Sequence, residues 1–173
     1  MLSASLLLAA AIAAITAPQA QPDPTIANIR ATGDMVKGYI TKAAEQVPEE
    51  MYAFKPTPDV RSLGQVLGHI ADGNYLICSA ANGMKPDMEG IEKSKTTKAD
   101  LKAALDASFK FCEAGFDKLT SANAGETVKF FLPGTHTRLG VLAFNNAHLF
   151  EHYGNLVTYM RLKGLVPPSS APR

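Results

Sequence analysis

Residues 145–152 read Asn145-Asn146-Ala147-His148-Leu149-Phe150-Glu151-His152, with two histidines four apart. An α-helix has about 3.6 residues per turn, so side chains at i and i+4 leave one face of it. Extending that spacing in both directions gives Val141, Asn145, His148, His152, Leu156 and Tyr159 as one stripe. Its apolar ends mark the inner face of a helix from near Thr137 to about Lys163, stopped by Gly164 and Pro167-Pro168. Asn145, His148 and His152 on an inner stripe need hydrogen-bond partners or ligands, because burial without them is costly. Two imidazoles on one face form half of a metal site.

Three more helices precede this one. Asp23-Pro24 supplies an N-cap and a proline suited to the first turn. Ile26, Ile29, Gly33, Val36, Ile40, Ala43 and Val47 then follow at helical spacing up to Pro48. Pro48, Pro56 and Pro58 make residues 48–59 an extended connection. Ser62-Leu63-Gly64-Gln65 fits a capping box and opens a helix through Val66, Leu67, Ile70, Leu76 and Ile77 to Asn82-Gly83. Residues 84–95 read as a polar loop. Thr97 to Asp100 starts a helix carrying Leu101, Leu105, Ser108, Phe109, Cys112, Phe116 and Leu119. Thr127 to Leu132 favours strand but has no second strand to pair with, so it reads as a packed extended connection. Four amphipathic helices without paired strands predict an all-α four-helix bundle.

Composition narrows the function classes. Hydrophobic residues are 46% and charged residues 19%, as in a globular domain. Net charge is +1 with no basic stripe, which speaks against a nucleic-acid partner. Leu6 to Ile15 is an unbroken apolar run, too short for the roughly 20 residues of a bilayer span. It suits the hydrophobic region of a secretory signal, with cleavage near Ala17 or Ala20. No Lys or Arg precedes it, and Pro18 sits close to either cut. The expectation is a cleavable leader over residues 1–20, a domain over 21–173, an exported (periplasmic or secreted) protein, and no stable membrane anchor.

His69 lies on the second helix, where packing can bring it opposite His148 and His152. Three neutral imidazoles would leave a divalent ion with open positions for water or substrate. Asn145, one turn before His148, is a candidate partner for a metal-bound water. His148-Leu149-Phe150-Glu151-His152 also matches the zinc-peptidase pattern H-x-x-E-H, with Glu151 as general base. That pattern wants a further acidic ligand, and no Asp or Glu follows His152. Asp72, one turn after His69, either orients an imidazole or lies on a solvated face. His136 reads as a loop residue. Gly68, Gly73 and Gly154 are expected to permit close helix approach near the site.

Tyr52-Ala53-Phe54-Lys55-Pro56-Thr57, Arg61-Ser62-Leu63 and His69-Ile70-Ala71 resemble segments of the DinB-like family. So do His148 to Leu156, Tyr159-Met160-Arg161, Gly164 and Pro167-Pro168, and the resemblance runs from Ile26 to Pro168. It implies a four-helix bundle with a long crossing connection and one divalent metal, zinc or nickel foremost, held by His69, His148 and His152. Characterised relatives include thiol-dependent transferases and isomerases using bacillithiol or mycothiol. The expected function is metal-dependent thiol transfer or hydrolysis on a small-molecule substrate; the alternative is a non-catalytic metal-binding or interaction module. A homodimer is left open. Cys78 and Cys112 lie at similar depths in the second and third helices, which the resemblance implies run parallel, so a disulfide is within reach. Bridge geometry is demanding, and the favoured reading is two buried thiols filling the core.

Overall fold

The computed structural model describes residues 23–86 and 90–172. The leader expected over residues 1–20 lies outside them. Helix α1 spans Pro24–Gln46, α2 Leu63–Ala81, α3 Ile91–Ser94, α4 Lys98–Asp117 and α5 Arg138–Leu162. Each long helix begins where a side chain satisfies its free amides. The Asp23 carboxylate accepts from Thr25 and Ile26, and Ser62 and Gln65 close the capping box reciprocally. Thr97 accepts from Asp100, and Thr137 accepts from Gly140. None of the described helices is long and apolar enough to cross a membrane.

Paired residues give the helix directions. Asn74 meets Ser108, Cys78 meets Cys112 and Asn82 meets Gly115, so α2 and α4 run parallel. Gly73 meets His148 and Asn74 meets Asn145, so α5 runs antiparallel to α2. Lys37 pairs with Glu113, and Arg30 with Asp117, setting α1 antiparallel to α4. The bundle is up-down-down-up, and the connection containing α3 crosses it between the parallel pair.

The core has two apolar clusters with a polar layer between them. The larger includes Ile40, Leu67, Ile70, Leu101, Leu105, Leu149, Leu156 and Met160. The smaller includes Ile77, Phe116, Val141 and Leu142 around the cysteines. Between them on the same helices lie Asn74, Ser108 and Asn145. Asn145 donates to Asn74 at 3.0 Å, and Asn74 donates to Ser108 at 3.0 Å. Such a chain offsets the desolvation that three isolated buried polar groups would suffer.

Three expectations are corrected. Cys78 and Cys112 form a disulfide, with Cα atoms 5.2 Å apart. The parallel register of α2 and α4 brings their Cα atoms within bonding range. Thr127–Val128 does have a partner, pairing antiparallel with His136–Thr137 as strands β1 and β2. The second strand escapes sequence reading because it is two residues long and continues directly into α5. Residues 84–95 are not simply a polar loop, because α3 buries Ile91. The Asp72 carboxylate accepts from the amides of Ile91 and Glu92 at 2.9 and 3.0 Å. Gly68 makes room for this turn, since a Cβ there would lie 2.7 Å from the Glu92 Cα.

Candidate metal centre

Helices α2 and α5 face one another just beyond the polar layer, and there the three histidines converge. His148 Nε2 lies 3.0 Å from His152 Nε2 and 3.4 Å from His69 Nε2. One ligand atom from each ring lies within 4.8 Å of both others. For metal–nitrogen bonds of about 2.1 Å, neighbouring nitrogens sit about 3.0 Å apart at right angles and about 3.4 Å apart at the tetrahedral angle. The two sides of the triangle that meet at His148 therefore match the spacing of ligands on one first-row divalent ion.

Each ring is held differently. His69 Nδ1 lies 3.0 Å from Glu92 Oε2, while Arg61 Nε donates to the other carboxylate oxygen at 2.9 Å. A carboxylate only accepts, so His69 carries its proton on Nδ1 and turns the Nε2 lone pair into the triangle. Burial alone would raise Glu92, but Arg61 and then His69 more than offset it and hold the carboxyl below its usual range. The His152 ring has Asn155 at 3.3 Å from Nδ1. His148 Nδ1 is buried with no hydrogen-bond partner among the described residues. This ring rests instead against Gly73, where a Cβ would lie 2.4 Å from its Cε1. An absent side chain on α2 thus makes the space that His148 fills.

The electrostatics favour the ligating form. Burial, then the neighbouring His152 and His69, pulls His148 down to about 4. Burial, then His69, also lowers His152. Both imidazoles are neutral near pH 7, as ligation requires. With all three lone pairs turned inward, the rings would together hold a cation at their centre.

A cavity of about 410 Å³ opens at His69 and His148, walled by Leu76, Ile77, Phe131 and Phe144. Neither Phe150 nor Tyr153 closes it. Tyr153 is buried elsewhere, with its hydroxyl on Ser169. Asn145 does not line the cavity, and its amide nitrogen donates to Asn74. Glu151 is exposed on α5 and does not line the cavity. His136 bonds the Pro133 carbonyl in its own loop. Asp72 takes neither role expected of it, since it caps α3. Gly154 has open space around it and eases no contact. Glu92 is the site residue that sequence reading missed. It lies in a segment too short for periodicity, though Gly90 before Ile91-Glu92 hints at a turn.

The sequence profile of the DinB superfamily matches residues 34–156. No curated protein matches the chain. Among solved structures, the chain is similar to a DinB-like protein from Bacillus cereus ATCC 10987. That match has a TM-score of 0.72 and 21% identity, covering 83% of this chain and 95% of the other. A DinB-like protein from Bacillus subtilis matches with a TM-score of 0.66 and 20% identity, covering 84% and 99%. A mycothiol-dependent maleylpyruvate isomerase matches with a TM-score of 0.65 and 11% identity, covering 76% and 60%. At these identities the likeness shows a shared fold.

Proposed function

This chain belongs to the DinB superfamily, and from that premise we propose that it is a metal-dependent enzyme acting on a small-molecule thiol. One observation carries the reading: three imidazole nitrogens converge where an open cavity meets the bundle. A vestigial site has no need of that opening. A divalent ion held by His69, His148 and His152, zinc or nickel foremost, supplies a Lewis acid that lowers the pKa of a thiol. The chain's own residues do the rest. Glu92, braced by Arg61, fixes the His69 tautomer. Gly73 lets His148 enter, and Leu76, Ile77, Phe131 and Phe144 give the cavity beside it an apolar wall.

Thiol chemistry is preferred over hydrolysis because, among the described residues, the cavity holds no free carboxylate base. Glu151 is outside it, Asp72 is committed to the α3 amides, and Glu92 to Arg61 and His69. Support for export comes from the apolar run at Leu6 to Ile15 together with the Cys78–Cys112 disulfide, a bond that persists in oxidising compartments. The thiol is accordingly named only as a class. Cobalt-loaded protein tests the reading: an added small thiol should produce a thiolate-to-cobalt charge-transfer band, absent in His69→Ala. A spectrum unchanged at saturating thiol would refute it.

A further inference from the structure

The cavity wall bears on substrate class, and the inference rests on the thiol-enzyme reading only for the position of the reacting atom. We propose that the cavity binds an apolar, ring-sized group of the substrate, seated among Leu76, Ile77, Phe131 and Phe144.

Phe131 and Phe144 are 56% and 36% exposed. Large apolar side chains turned into one concave site mark a binding surface more often than chance exposure does. Their placement is built rather than loose. The β1–β2 pairing closes a hairpin whose loop carries Phe130 and Phe131 over α5. Phe130 meets Phe131 at a tilt, with centroids 4.3 Å apart, and meets Phe144 edge-on at 5.4 Å. Phe130 and Val128 in turn pack on the smaller core cluster, which the disulfide crosslinks. The hairpin therefore holds an aromatic wall facing the α2 residues Leu76 and Ile77.

Among the described residues, the carboxylates of the same cavity are already satisfied from within. Both Asp72 oxygens take α3 amides, and both Glu92 oxygens take Arg61 and His69. They have little left to recognise a polar substrate group. Lys93 is the remaining charged lining residue among those described, and it lies exposed on α3. Recognition falls to apolar contact, with a neutral or anionic molecule favoured over a cationic one. A volume of about 410 Å³ is ample for one aromatic ring with a short arm reaching the histidines.

The test separates the ring from the metal. Metal-free protein with labelled Leu and Ile methyls is titrated with toluene and followed by NMR. Saturable shifts at Leu76 and Ile77 are expected, weakened about 3- to 10-fold in Phe131→Ala or Phe144→Ala. Shifts that do not saturate, or that saturate as tightly in both variants as in the wild type, overturn the proposal. In zinc-loaded protein, benzyl mercaptan should bind at least about 3-fold more tightly than 2-mercaptoethanol, a preference lost in Phe131→Ala. Equal binding of the two thiols by the wild type also overturns it. Failed zinc uptake with toluene still bound would defeat the metal reading alone. Normal zinc uptake without toluene binding would defeat this proposal alone.

Discussion

Replacing Gly73 with Ala sets two effects of opposite sign against each other. Gly73 sits in the interior of α2, where Ala is favoured by about 1 kcal/mol. If the glycine were incidental, the substitution would raise the melting temperature by about 2–4 °C in a domain of this size. The structure predicts otherwise. The new methyl would lie 2.4 Å from His148 Cε1, 3.1 Å from Nδ1 and 3.2 Å from Nε2. Restoring ordinary contact moves the ring by about 1 Å, several times the roughly 0.2 Å tolerance of a metal–ligand bond. The helices cannot easily part, because Asn74 next door bonds Asn145 across the same pair. Zinc affinity should fall about 10- to 100-fold, read by competition with a chromophoric chelator, while far-ultraviolet circular dichroism is unchanged. Zinc affinity within about 2-fold of wild type, with a higher melting temperature, would refute the reasoning.

Other expectations follow from the same geometry. Glu92→Gln removes the charge that fixes the His69 tautomer, and zinc affinity should drop about 10- to 100-fold with helicity retained; undiminished affinity would mean that Glu92 does not orient the ring. In metal-free protein His148 titrates near 4 when folded, against 6.5 as a free side chain. The unfolded chain therefore binds more protons between those values, and stability should fall as pH drops from about 6.5 to about 4. The lowered His152 acts in the same direction. Urea denaturation of wild type and His148→Ala across that window should show the shallower dependence in the variant; parallel curves would contradict the assignment. Reducing Cys78–Cys112, which closes a 34-residue separation, should cost about 4 kcal/mol on the chain-entropy account and lower the melting temperature by roughly 8–16 °C. A melt insensitive to reductant would show that the bond contributes little.

The helices were legible because each carries its own signals: Asp23, Ser62, Thr97 and Thr137 cap the long helices, and apolar residues recur at helical spacing between them. The histidine stripe was legible for the same reason, since helical spacing alone puts His148 and His152 on one face. What escaped depends on packing between elements. Cys78 and Cys112 bond because α2 and α4 run parallel in matched register, which no local pattern states. The β1–β2 pairing is too short to carry a period of two. Asp72 caps α3, and Glu92 orients His69 in its stead, because a four-residue helix, invisible to a 3.6-residue period, docks where Gly68 leaves room. Asn145 lies on the predicted stripe, yet its side chain turns to Asn74 instead of the cavity, and such a choice between two neighbours is made in three dimensions.

The central claim is that His69, His148 and His152 hold one divalent ion in a bundle that folds without it. The most direct measurement is metal analysis of the purified protein after exposure to zinc or nickel, with His148→Ala treated identically and both checked by circular dichroism. The account predicts one ion per wild-type chain, none per variant chain, and the same helical content in both. A wild type that retains no stoichiometric metal, or a variant that retains as much, would contradict it.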